Sequence, residues 1–146
     1  MTGSSLGDFS VTTGRPLRRM FSLPEEDIET LEAMGLPWEC TVENATQWLL
    51  IHDWLLPGGF TAVRATIAIR IVAGYPSAAL DMVYVHPRLA RADGRPIGGL
   101  SDSVVDGKTF QQWSRHYTPA NPWRPGVDSI VTHLRAIASW FAKAVA

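Results

Sequence analysis

Between Arg88 and Pro122 the chain gathers hydroxyls, carboxylates and one imidazole: Ser101, Asp102, Ser103, Asp106, Ser114 and His116. These residue types together can carry acyl chemistry. A serine hydroxyl becomes a nucleophile only when a base takes its proton. His116 is the local side chain suited to that task, since an ordinary imidazole titrates at about pH 6.5. Asp106 can orient such an imidazole as the third member of a triad. The candidate catalytic residues are therefore His116, Asp106, Ser101 and Ser103. Each also has a plainer structural use. Asp106-Gly107 and Asp93-Gly94 read as turns, Ser101 and Ser103 as loop hydroxyls, and Trp113-Ser114-Arg115-His116 as a packed turn.

Other reactive types are sparse. Cys40 is the one cysteine, so no internal disulfide forms and a reducing, cytoplasmic setting is expected. A lone cysteine in an apolar strand reads as a small buried hydrophobe. The four histidines are too scattered for metal-ligand spacing, and His52 and His133 are assigned to the surface. The sequence has neither a phosphate-binding glycine loop nor a Gly-x-Ser-x-Gly elbow. No cofactor or metal is expected, and an unrelated serine hydrolase finds little support. A net charge of −1 gives no basic surface for nucleic acid. No apolar run approaches the roughly 18 residues of a membrane span, and Met1 to Ser10 lacks the order of a signal peptide.

The elements that must position these residues are legible in outline. Residues 1–20, rich in Ser, Thr and Gly with Arg15, Arg18 and Arg19, read as a flexible arm. Residues 21–146 read as a single domain. Ser22-Leu23-Pro24-Glu25 resembles a capped helix start, with Ser22 as the cap. Leu23, Asp27, Ile28, Leu31 and Met34 then share one side up to a stop at Gly35. From Trp38 the period becomes two. Glu39–Glu43 and Thr46–Ile51 read as paired strands with Asn44-Ala45 at the turn. Val63, Ala65, Ile67, Ile69 and Ile71 alternate with Arg64, Thr66, Ala68 and Arg70 in a third strand. Gly74-Tyr75-Pro76 turns the chain. Leu80, Met82 and Tyr84 alternate with Asp81, Val83 and Val85 in a fourth strand, which Pro87 ends. Residues 88–122 read as a long functional loop, with a short helix or turn within Gly107–His116. Pro125-Gly126-Val127-Asp128 opens a last helix whose stripe is Val127, Ile130, Val131, Leu134, Ile137, Ala138 and Phe141. The expectation is an α+β fold: helix, four-stranded antiparallel meander, long loop, helix.

That order resembles the ubiquitin-conjugating enzyme fold. Tyr75-Pro76 is similar to the family's Tyr-Pro turn between its third and fourth strands, and His86-Pro87 to its strand-ending His-Pro. Trp123-Arg124-Pro125-Gly126 resembles the family's Trp-Ser-Pro-Ala before the helix that follows the active site. The phrases LPEEDIETLEAMGLPWE, GYPSAALDMVYVHP, DGKTFQQWSRH and PWRPGVDSIVTHL resemble a bacterial branch of this superfamily across residues 22–142. Members of that branch resemble conjugating enzymes encoded beside ubiquitin-like proteins and an adenylating activating enzyme.

The resemblance implies two partners, a ubiquitin-like protein and an activating enzyme. It also implies that Tyr75, Pro76, His86, Pro87, Trp113, Arg115 and Trp123 organise the loop. Conjugating enzymes carry the ubiquitin-like C-terminus as a thioester on a cysteine placed shortly after the His-Pro stop. Residues 88–122 contain no cysteine, and the usual His-Pro-Asn is His86-Pro87-Arg88, which removes an oxyanion donor. The expected function is that of a conjugating-enzyme-like component using serine-based transfer or none. The alternative is an inactive binding or scaffold module. The family meets its activating enzyme through the first helix, usually with basic residues. Here that helix carries Glu25, Glu26, Glu29 and Glu32, which suggests a basic partner face or simply a solvated surface.

Overall fold

The computed structural model describes residues 16–146. The elements run α1 (Glu25–Met34), β1 (Trp38–Glu43), β2 (Thr46–Leu55), β3 (Arg64–Ile71), β4 (Val83–His86), β5 (Leu100–Val105), β6 (Lys108–Trp113) and α2 (Ile130–Ala144). One sheet takes the order β1-β2-β3-β4-β6-β5, and every neighbouring pair is antiparallel. The α+β class holds, and β1 to β4 form the expected meander. The strand count does not hold, because the sheet has six strands.

The two additional strands come from the segment expected to be a loop. Asp106 and Gly107 both take positive φ, 52° and 72°, which is the backbone of a two-residue type I′ hairpin turn. The turn closes Val105 onto Lys108 and zips Leu100 onto Trp113. β6 then pairs with β4 through Val83↔Trp113, Tyr84↔Gln112 and Val85↔Gln111. The short helix or turn expected within Gly107–His116 is therefore mostly strand.

Three local expectations also change at the chain's ends. Residues 1–15, including Arg15, lie outside the described residues. The last residues of the expected arm are tied down: the Cys40 N–H donates to the Arg18 carbonyl at 2.9 Å, and the Met20 N–H to the Cys40 carbonyl at 2.8 Å. Pro24, not Ser22, is the α1 N-cap, with no side-chain cap bond; Glu25, Glu26 and Asp27 supply negative charge to the first turn instead. Gly35, at φ 71°, ends α1 as expected. Helix α2 starts at Ile130, not Val127, because Ser129 and Thr132 form a reciprocal capping box. Val127 stays outside the helix, 58% exposed.

The sheet buries both faces. On one, Leu49, Ile51, Ile67, Ile69, Val83, Val85 and Trp113 pack with Leu31 of α1 and with Ile130, Leu134, Ile137 and Phe141 of α2. On the other, Trp48, Leu50, Ala68 and Tyr84 pack with Val105 and Phe110. This second cluster exists because the hairpin leaves β4 beyond Gln111 and arches across the sheet. Its turn reaches the far edge, where the Asp106 N–H donates to Glu43 Oε1 at 3.0 Å. Covering both faces explains why Val83, Tyr84 and Val85 are all buried where strict alternation was expected. Val63, placed inward by alternation, precedes β3 and is 71% exposed.

Tyr75 joins the layers at one end. Its hydroxyl donates to Asp27 Oδ2 of α1 at 2.7 Å and accepts the Ile130 N–H of α2 at 2.7 Å. Burial pushes the Asp27 carboxyl above its usual range, and the Tyr75 hydroxyl partly offsets this. Removing that hydroxyl leaves a buried carboxyl and a helix N–H without their partner. Tyr75→Phe should therefore lower unfolding free energy by about 2 kcal/mol in urea denaturation with an unchanged far-UV spectrum. A loss below about 0.5 kcal/mol would show that the bridge contributes no more than an ordinary surface contact.

Candidate functional site

The segment after β4 is tightly held. The Tyr75-Pro76 and His86-Pro87 peptide bonds are cis. The His86 Nδ1–H donates to the Thr109 carbonyl at 3.1 Å, and its ring lies 5.3 Å from that of Phe110. Beyond Pro87, buried Gln111 clamps Leu89 from both sides. Its amide donates to the Leu89 carbonyl and its Oε1 accepts the Leu89 N–H, each at 3.0 Å. The same Oε1 accepts Trp113 Nε1–H at 2.9 Å. Arg91 closes the far end by donating to the Ala144 carbonyl of α2 at 2.7 Å. The fold thus uses a buried amide, with three hydrogen bonds, to fix the backbone after the His-Pro stop.

The candidate triad residues lie apart. Ser101 and Ser103 sit on β5, opposite Gln112 and Phe110. Asp106 sits at the hairpin turn, where the Arg18 guanidinium donates to both its oxygens at 2.8 and 2.9 Å. Those bonds hold its carboxyl below the usual range. His116 instead bonds Asp81: its Nδ1–H donates to Asp81 Oδ1 at 2.8 Å. Asp106 therefore does not orient His116; Asp81 does. The sequence hid this because Asp81 precedes His116 by 35 residues and reads as the polar member of an alternating strand.

A frame of hydrogen bonds fixes this His116–Asp81 pair. The Met82 N–H donates to the Arg115 carbonyl at 3.1 Å. The Met82 carbonyl accepts His133 Nε2–H at 2.9 Å, which leaves His133 Nδ1 to accept the Tyr117 hydroxyl at 2.7 Å. His133 is fully buried, so its assignment to the surface is overturned. Burial pushes its pKa down, keeping the ring neutral and in this tautomer. The pair itself is open to water, with His116 57% exposed, and an exposed pair contributes little to stability. Trp123 packs edge-on nearby: its ring centroid is 5.4 Å from that of Tyr117, and its Nε1–H donates to the Pro76 carbonyl at 3.1 Å. Arg115 lies over Trp113, 5.0 Å from the ring centroid, and its guanidinium stands where a Cβ on Gly99 would be. The guanidinium could swing aside, so it is the positive φ of 71° that favours glycine at position 99.

Cys40 is closed off from all of this. It lies on β1 between the Arg18–Met20 segment and β2, 1% exposed. Burial pushes its thiol up to about 11, outweighing the opposing effect of Arg19. At neutral pH about one thiol in ten thousand is then ionised.

A second polar network, also missed in the sequence, clasps the hairpin to the sheet. Arg18 donates to Glu39 at 2.8 and 3.1 Å as well as to Asp106. Glu39 also meets His52 Nε2 at 2.8 Å, and His52 Nδ1 meets Thr66 Oγ1 at 3.0 Å. His52 is thus half-buried within a network, not a free surface residue. Burial alone would raise the Glu39 carboxyl, but bonds from Arg18 and His52 outweigh it and hold the pKa at about 2. A carboxyl depressed from its usual 4.5 stabilises the fold fully above that pH and progressively less as pH falls toward 2. Stability should therefore drop between about pH 4.5 and 2, and Glu39→Gln should remove Glu39's share of that slope. Urea unfolding midpoints of both forms across this window provide the check. Identical pH slopes would show that Glu39 is not held this way.

Among the described residues, no helix is long and apolar enough to cross a membrane. The family description "Prokaryotic E2 family E" matches residues 23–144. Neither the curated proteins nor the solved structures gave a match.

Proposed function

The chain belongs to prokaryotic E2 family E, and from that premise we propose that this E2-like protein is a docking component. It would hold a ubiquitin-like protein and an adenylating activating enzyme together without accepting the acyl group on a thiol. One observation carries this reading. The sole sulfur nucleophile, Cys40, is 1% exposed, has its thiol pushed up to about 11, and lies on β1 rather than after the His-Pro stop. Thioester exchange needs an accessible thiolate. Meanwhile the backbone after that stop is clamped by Gln111, which supports a shaped recognition surface.

One feature favours a second reading, transfer through a hydroxyl. The Asp81 bond to Nδ1 leaves His116 Nε2 as the ring's open acceptor, which is the tautomer a general base requires. Neither Ser101 nor Ser103 is bonded to His116, so this route needs a serine hydroxyl brought to Nε2 on partner binding; its oxygen would attack the activated carbonyl, its proton would pass to Nε2, and AMP or the activating enzyme's thiolate would leave.

Both readings are separated by one experiment. The protein is mixed with the ubiquitin-like protein and activating enzyme of the same genome and ATP, then run on denaturing gels with reductant or hydroxylamine. The docking reading expects a complex on gel filtration and no covalent band. A band that resists reductant, yields to hydroxylamine and disappears in His116→Ala would establish the hydroxyl route. A reductant-sensitive band would overturn both in favour of Cys40.

A further inference from the structure

The sheet has two edges, and the fold treats them differently. At the β1 edge Trp38, Cys40 and Val42 face outward by the alternation of the β1–β2 pairs, and the middle one, Cys40, is covered. Its N–H and C=O are taken by Arg18 and Met20 of the same chain. At the other edge, β5 is left open. The two-residue turn makes Val105 and Lys108 a mutually bonded pair, so Ser103 with Phe110 and Ser101 with Gln112 repeat that pattern. The bond from the Ser114 N–H to the Gly99 carbonyl continues it at 2.9 Å. The N–H and C=O groups of Leu100, Asp102 and Val104 therefore point away from β6. Among the described residues none of these six groups has a protein partner.

Proteins usually blunt such an edge with lysine, proline, a bulge or a covering segment. The β5 sequence Leu-Ser-Asp-Ser-Val-Val has none of these. Its one charge, Asp102, is paired with Arg88. Val104, 68% exposed, stands on the open strand as an aliphatic contact. The strand spans about 20 Å. The segment leading into it carries Arg88, Arg91 and Arg95 against Asp93 alone. Arg95 is the loosest of these cations, 72% exposed and 3.9 Å from Asp93. An extended segment with aliphatic or small side chains and a terminal negative charge complements all these features: a row of backbone groups, an apolar spot and unneutralised arginine.

We propose that β5 is a docking edge that takes the extended C-terminal tail of the ubiquitin-like partner as a seventh strand, with the tail's carboxylate toward the arginine-bearing 88–95 segment. This rests on the docking reading above and specifies how the partner is held. Main-chain hydrogen bonds supply the affinity, and Val104 and Arg95 supply the selection.

Proline at position 104 tests this selectively. It deletes an outward N–H while leaving every β5–β6 bond in place, because Val104 does not donate to β6. The probes are the full-length ubiquitin-like protein of the same genome, the same protein lacking its last six residues, and a peptide of its last eight residues as free acid or amide. The wild type should bind the full-length protein. Affinity should fall about tenfold or more with Val104→Pro or with the truncated partner. Val63→Ala, an exposed aliphatic outside β5, should bind like wild type. The free-acid peptide should bind more tightly than the amide, and complex formation should slow hydrogen exchange at Leu100, Asp102 and Val104. Equal binding by a folded Val104→Pro protein, or indifference to the tail, overturns this proposal while leaving docking intact. If Val104→Pro does not fold, unchanged exchange at those three amides in the wild type overturns it instead. A concentration-dependent dimer lost in Val104→Pro, with partner binding unaffected, assigns the edge to a second copy and also overturns it. Absence of any binding by the wild type removes the docking reading and this proposal together.

Discussion

A single sheet here has apolar residues on both faces, and each face must be kept from water. The helices cover one. The other carries Trp48, Leu50, Ala68 and Tyr84, and no helix lies over them. The chain covers this face by bending its last hairpin across it, so that Val105 and Phe110 become the missing layer. Each large side chain so buried is worth about 1.5–3 kcal/mol. Arg18 then fastens the turn, reaching Asp106 on the hairpin and Glu39 on β1 with one guanidinium. A planar fork with several donors is suited to bridging two carboxylates in this way, where a lysine ammonium is not. The consequence runs through the rest of the molecule: the bend that buries the second face also leaves β5 as the free edge.

Polar groups inside the fold are used as joints. Tyr75 links α1 to the start of α2, Gln111 fixes the backbone after the His-Pro stop, and His133 ties Tyr117 to Met82. Each makes at least two hydrogen bonds, as burial demands of polar groups. These joints hold the connections between elements more than the elements themselves. Gln111 lies beside the segment that follows the His-Pro stop, and residues 88–122 hold no cysteine. The residues that remain, a clamped backbone and an exposed His116–Asp81 pair, suit recognition first and proton transfer second.

The buried thiol and the open edge belong to the same argument. Cys40 is closed because Arg18–Met20 seals the β1 edge over it. The β5 edge has no such cover among the described residues. The proposed seventh strand would therefore join the second of these edges.

By itself, the sequence determined what local rules can determine. The period-two run around Ile67 and Ile69, the stop at Gly35 and the amphipathic stripe of the last helix gave the meander and its two helices. The quoted phrases gave the family. The Asp106-Gly107 pair signals a turn, but the strands on either side leave no such local mark. Ser-Asp-Ser and Gln-Gln offer little apolar alternation, and their partners lie in β4 and across the sheet. Only the tertiary structure decided which carboxylate meets which base. Asp81 rather than Asp106 meets His116, and Arg18 claims Asp106 across 88 residues of chain. Periodicity assigns a residue to a face, whereas ion pairs and edges arise from how faces fold over one another, and that depends on contacts with no local trace.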